Sequence, residues 1–182
     1  MSDSDSKKFT DVARLRTPER LERLEVERVL ALCLENKAVH TVLDIGTGSG
    51  VFAEAFAGRG LEVAGIDEND EMLAAARSFV PQASFEQASA EELPFKDGQF
   101  DLVFLGMVFH EVDDRLKTLK EARRAGKSRI AMLEWRYREE EVGPPLAHRL
   151  KPEEIKALAE QTGFSQVEEF PLSQLVLYRL DF

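Results

Sequence analysis

An apolar run, Thr41-Val-Leu-Asp-Ile45, feeds straight into Gly46-Thr-Gly-Ser-Gly50. Glycine at every second position after a strand is a pattern that cradles a ligand. Gly46 lets the backbone reverse sharply, Gly48 has no side chain where a ligand must come close, and Gly50 opens a helix whose free N–H groups attract negative charge. A nucleotide-type ligand, or one that ends in a carboxylate, fits such a turn. Asp67 closes the next predicted strand, where its carboxylate is placed to accept hydrogen bonds from two ribose hydroxyls. The dinucleotide fingerprint needs Gly-x-Gly-x-x-Gly, and Val51 stands where its third glycine belongs. NAD is therefore the alternative ligand rather than the first choice. Asp44, just before the turn, is a carboxylate that burial would penalise unless it is paired. His110 is the histidine nearest the same rim, with a pKa suited to a general base or to orienting an acceptor.

These residues need a scaffold that brings strand ends together. Strand and helix alternate along the chain: strand 40–45, helix 51–58, strand 61–66, helix 70–79, strands 84–87 and 100–105, helix 113–125, strand 129–134, and a helix from Pro152 to the stop at Gly163. That is the signature of a parallel sheet with helices on both faces. Thr17-Pro18-Glu19 reads as cap, first helical position and favourable first-turn charge, and Leu21, Leu24, Val29 and Leu32 give the helix 21–35 a stripe that should lie on the sheet. The last strands, 164–170 and 174–180, are joined by Pro171-Leu-Ser173, too short for a parallel crossover. They must form an antiparallel hairpin, so the sheet is mixed at one end.

Residues 42–50, then Gly65-Ile-Asp67, then Leu93-Pro-Phe95 ahead of Phe100-Asp-Leu-Val103, resemble the class I S-adenosyl-L-methionine-dependent methyltransferases. The likeness is greatest to their ubiquinone/menaquinone-biosynthesis-like branch (methyltransferase type 11), and it runs from about Thr17 to the C-terminus. It implies a Rossmann-like α/β fold with a mostly parallel seven-stranded sheet and a C-terminal antiparallel hairpin. The implied cofactor is S-adenosyl-L-methionine, with S-adenosyl-L-homocysteine as product and no metal. The implied contacts are Asp44 toward the amino-acid end, Gly46, Thr47, Gly48 and Gly50 in the turn, Asp67 and Glu68 toward the ribose, and Met72 against the adenine. Ser89 stands where relatives commonly place an Asp for the adenine amine, followed by Ala90 and Glu91; Leu105, Gly106 and Met107 line the cofactor. Beyond the fifth strand, Trp135, Tyr137 and Arg138, with His148 and Arg149 of a proline-rich loop, are candidates to hold the acceptor.

At 182 residues the chain suits one α/β domain, assigned to residues 17–182, with 1–16 as a flexible arm or lid. A net charge of −10 opposes phosphate-backbone binding, which excludes nucleic acid as an expected partner and leaves a small-molecule substrate. The longest apolar run, 102–109, is too short to span a bilayer, so the expected location is the cytoplasm. Cys33 is the only cysteine, which rules out an intramolecular disulfide or a cysteine-rich metal site. Methyl transfer to O, N or C of a metabolite is the leading function. A dinucleotide-dependent oxidoreductase and a catalytically silent methyltransferase-like interaction domain are the alternatives. Neither the acceptor nor the oligomeric state is legible.

Overall fold

A computed structural model describes residues 11–182. In chain order its elements are α1 (Val12–Leu15), α2 (Pro18–Leu24), α3 (Val26–Leu34), β1 (Thr41–Ile45), α4 (Val51–Gly58), β2 (Glu62–Asp67), α5 (Asp70–Phe79), β3 (Ser84–Gln87), β4 (Phe100–Gly106), α6 (Arg115–Ala125), β5 (Gly126–Trp135), α7 (Pro152–Gln161), β6 (Glu168–Pro171) and β7 (Leu175–Asp181). One single 3-10 turn, Leu146–His148, precedes α7. The expected arm, 1–16, lies mostly outside the described residues; its last part carries α1.

The seven strands run β3-β2-β1-β4-β5-β7-β6. The first five are parallel; β7 inserts between β5 and β6 and is antiparallel to both, as the short Pro171-Leu-Ser173 connection requires. The central strands are covered on both faces, which is why they read as near-continuous apolar runs. Leu43, Ile45, Val103, Leu105, Ile130 and Met132 face α6 and α7. Val42, Leu102, Phe104, Ala131 and Leu133 face α3 and α4, where the Phe104 ring packs 4.6 Å from Phe52 and 5.4 Å from Phe56. The order reverses at β1 and β4, and open α/β sheets bind ligands in the crevice outside the strand ends at such a point.

Three expectations are revised. The helix foreseen over 21–35 is two helices, broken at Glu25 with φ 44°. The break is held from afar: the Ser173 N–H donates to the Glu25 carboxylate at 2.7 Å. α3 lies on the sheet while α2 swings toward the strand ends, leaving Leu21 exposed rather than packed. The strand expected over 164–170 begins only at Glu168, with Phe164 buried in the turn before it. β5 starts at Gly126 rather than Arg129, because helix α6 passes into it without a loop.

Candidate functional site

The ends of β1, β2 and β4 meet the α2 helix and the loop after β5 around one crevice of about 1560 Å³. Its floor is the glycine turn. Gly46, Gly48 and Gly50 have φ of 67°, 53° and 79°, a region that disfavours any side chain. A Cβ at Gly46 would lie 2.5 Å from Val108 Cγ2, so that position also has no room. Gly50 packs instead on α5, with Ala76 3.2 Å from where its Cβ would be, and does not line the crevice.

Asp67 locks the turn in place. One of its oxygens accepts the Gly48 N–H and the other the Asn69 N–H, each at 2.9 Å. A carboxylate has about four acceptor sites, so both oxygens keep capacity for hydroxyls in the crevice. Asn69 then caps α5 by accepting from Glu71 and Met72 N–H groups, which seats Met72 in the wall beside Glu68 and Asp70.

Asp44 is 2% exposed and accepts the Thr47 hydroxyl at 2.7 Å. Burial pushes its carboxyl up to about 7; the Thr47 bond opposes the rise, the neighbouring charge of Asp67 adds to it, and the Ala53 N–H at the start of α4 works against it. The adjacent Ser49 Oγ lines the crevice, buried and without a hydrogen-bond partner. A side-chain-free cradle, an orphaned hydroxyl and a carboxylate that favours a nearby cation suit a ligand with a sugar and a positively charged end. The donor set therefore fits S-adenosylmethionine.

On the wall that follows β3, Ser89 Oγ accepts the Glu91 N–H at 3.3 Å, and Glu91 accepts the Asp114 N–H at 2.8 Å, tying this loop to the start of α6. Gly106 can hold no side chain because the Phe104 ring would be 2.7 Å from its Cβ. Met107 sits at φ 63°, a strained conformation for a residue with a side chain, and its N–H donates to Leu133 O at 2.9 Å. Both line the crevice. Leu105 faces the core instead and does not.

His110 reaches the crevice with a partner that the sequence did not pair with it. Its Nδ1 lies 2.7 Å from Glu134 Oε2, its backbone N–H donates to Glu134 Oε1 at 3.2 Å, and Glu134 is 1% exposed. Nε2 stands 3.6 Å from Glu111. Burial opposes the charged ring, but Glu134, helped by Glu111, outweighs it and holds His110 above its usual pKa. Arg115 braces the segment through the carbonyls of Phe109 and His110.

The expected acceptor wall is only partly placed there. Trp135 and His148 line the crevice, together with Val142, Gly143, Pro144 and Pro145. Arg149 does not: it is 4% exposed and donates to the carbonyls of Pro144, Arg136, Arg138 and Val142, with its guanidinium 5.2 Å from the Trp135 ring. Its work is to fold the loop back as a wall. Tyr137 is exposed with Lys151 over its ring, and Arg138 pairs with Glu140 and the Ser173 carbonyl; neither lines the crevice. Arg14, Leu15, Arg20, Arg23 and Leu24 do line it, a contribution from the N-terminal helices that periodicity alone did not assign. Among the described residues there is no cluster of His, Cys, Asp or Glu able to hold a metal, and no helix long and apolar enough to cross a membrane.

Residues 43–129 match the family profile of a methyltransferase domain. The uncharacterized methyltransferase YcgJ of Bacillus subtilis is 39% identical over 98 residues, 51% of this chain and 39% of the relative. A demethylmenaquinone methyltransferase of Thermotoga maritima is 34% identical over 112 residues, 59% of this chain and 48% of the relative. The matched region thus spans under half the length of these relatives. A solved S-adenosylmethionine-dependent methyltransferase from Aquifex aeolicus superposes with a TM-score of 0.83 and 26% identity, covering 93% of this chain and 96% of that one.

Proposed function

We propose, for a chain that carries a methyltransferase domain of the S-adenosylmethionine-dependent class, that it transfers the cofactor's methyl group to an O, N or C atom of a small-molecule metabolite in the cytoplasm. The observation that carries this reading is the Asp67 carboxylate bonded to the Gly48 N–H across a turn whose glycines hold positive φ and whose Gly46 has no room for a side chain. The crevice supports the small-molecule part. About 1560 Å³ exceeds the ~300–1,000 Å³ usual for one ligand, which leaves space for a cofactor and a modest acceptor together.

In this reading Asp44, Gly46, Thr47, Gly48 and Ser49 hold the amino-acid end of the cofactor, Asp67 and Glu68 the ribose, and Met72, Ser89 and Ala90 the adenine. S-adenosylmethionine supplies an activated methyl on a sulfonium, so no metal or covalent enzyme intermediate is required. What the protein adds is placement of the acceptor in line within a dry wall, a contribution of up to ~7–11 kcal/mol for well-oriented reactants. Glu134 keeps the proton of neutral His110 on Nδ1, which turns the Nε2 lone pair toward the crevice. Nε2 accepts the proton that the acceptor's O–H or N–H loses, and Glu111 at 3.6 Å stabilises the resulting imidazolium.

The end of the N-terminal segment acts as a lid in the same scheme. Leu15 rests over the turn, 3.3 Å from where a Gly48 Cβ would be, and Arg16 donates to the Ser49 carbonyl at 2.8 Å and pairs with Glu54. The test is incubation of the protein with methyl-labelled cofactor and a metabolite extract, read by mass spectrometry. A labelled small molecule that disappears with His110→Ala is expected; cofactor binding with no labelled product from a broad extract would leave only a binding domain.

A further inference from the structure

We propose that Arg20 and Arg23 form a subsite for an anionic oxygen group, a carboxylate or a phosphate, carried by the methyl acceptor. This rests on the methyltransferase reading of the crevice and names the chemistry of its second ligand.

The two residues are three apart on α2, so they share one face of that helix, and both line the crevice. The chain break at Glu25 is what turns this face inward, since α3 beyond it lies on the sheet. Leu24, 4% exposed, anchors the helix from its next position. His110 and Glu111 line the same crevice, and Arg20 and Glu111 attract one another, which sets Arg20 toward the proton-accepting histidine.

Both signs of charge line the crevice, with Glu91, Glu111, Asp113, Arg14 and Arg115 besides the groups at the turn and on α2. Acidic groups at the ends of β1 and β2, namely Asp44, Asp67, Glu68 and Asp70, surround the glycine turn and suit a cationic cofactor. The arginines come from the helix above. Arg20 is disfavoured as a cation first by burial and then by Arg23, with Glu111 opposing both, and an anion seated between the two half-buried guanidinium groups would add to that compensation. Guanidinium forks match the paired oxygens of carboxylate and phosphate, and each such charged contact is shorter and stronger than a neutral one.

The test uses the full chain saturated with S-adenosylhomocysteine and titrates it with inorganic phosphate and, separately, malonate. The variants are Arg20→Gln, Arg23→Gln and Arg20→Lys, with Arg59→Gln as a control, because Arg59 pairs with Glu27 outside the crevice. At least one anion should bind the wild type, about tenfold more weakly in either Gln variant. Arg20→Lys should recover part of the loss and Arg59→Gln should match wild type, with S-adenosylhomocysteine affinity within about twofold throughout. Tighter phosphate binding assigns a phosphoryl-bearing acceptor and tighter malonate binding a carboxylate. The proposal is overturned if neither anion binds, or if the Gln variants lose S-adenosylhomocysteine instead, which would give the arginines to the cofactor's own carboxylate. Repeating the titration without the thioether separates the two readings: arginine-dependent anion binding to a protein that ignores S-adenosylhomocysteine keeps the subsite and removes the methyltransferase reading.

Discussion

Replacing Asp44 by Asn should make the protein more stable and the site worse. The folded-state value of about 7 lies above the unfolded value of 3.8, so between those pH values the folded chain holds a proton that the unfolded chain has released. Stability therefore falls as pH rises from about 4 to about 7 and is level above. Three pH units at about 1.4 kcal/mol each set an upper bound of ~4 kcal/mol. Asn keeps a carbonyl for the Thr47 hydroxyl but adds an N–H₂ group with no evident acceptor, so a net gain of about 1–3 kcal/mol at pH 8 is expected, or a rise in Tm of roughly 2–12 °C. Urea unfolding of both proteins at pH 5 and pH 8 gives the answer. The gain should be larger at pH 8 than at pH 5 by about 2 kcal/mol, because only the charge is pH-dependent. A variant less stable than wild type at pH 8, or a gain indifferent to pH, would refute the claim that a strained charge sits under the glycine turn. That such a charge is retained fits a group kept for a cationic ligand at a cost to the empty fold.

Removing His110 as His110→Ala should lower kcat by roughly 10²–10⁴ with little change in cofactor affinity. Since its pKa is raised, the neutral base is lost as pH falls at a higher pH than for an ordinary histidine; Glu134→Gln should move this acid limb of kcat/KM downward, and an unmoved limb would take His110 out of the reaction. Gly46→Ala combines a left-handed φ with a contact 2.5 Å from Val108, which predicts a loss of about 2–4 kcal/mol. Thermal unfolding of the double variant with Val108→Ala should recover only a share of the steric part, because the Val108 Cβ still stands 2.8 Å away. Arg149→Met strands four carbonyls, so limited proteolysis should cut within 136–148 and the acceptor KM should rise while S-adenosylhomocysteine binding holds. Unchanged proteolysis would mean that the loop does not depend on the guanidinium.

The parts of the site governed by local backbone demands were legible in the sequence. Gly46 and Gly48 announce positive φ, Asp67 follows from its place at a strand end, and the hairpin follows from a connection too short to cross over. What was not legible depends on contacts distant in sequence. Nothing near Glu25 is Gly or Pro; its left-handed turn is held by Ser173 from the far end of the chain. Glu134 reads as a charge at the edge of the fifth strand, and only the sheet brings it to His110 across 24 positions. Arg149, beside prolines and charges, has the composition of a solvated loop; its burial comes from that loop folding back over Trp135. The arginines of α2 could have been flagged by their spacing alone, yet without the break at Glu25 the same spacing would face elsewhere.

The most direct test of the cofactor crevice is calorimetry of S-adenosylhomocysteine and NADH against the same preparation, repeated with Asp67→Ala. One thioether should bind per chain, NADH should not, and the variant should lose about tenfold or more in affinity. Binding of NADH in place of the thioether, or an Asp67→Ala protein that binds as well as wild type, would contradict the account.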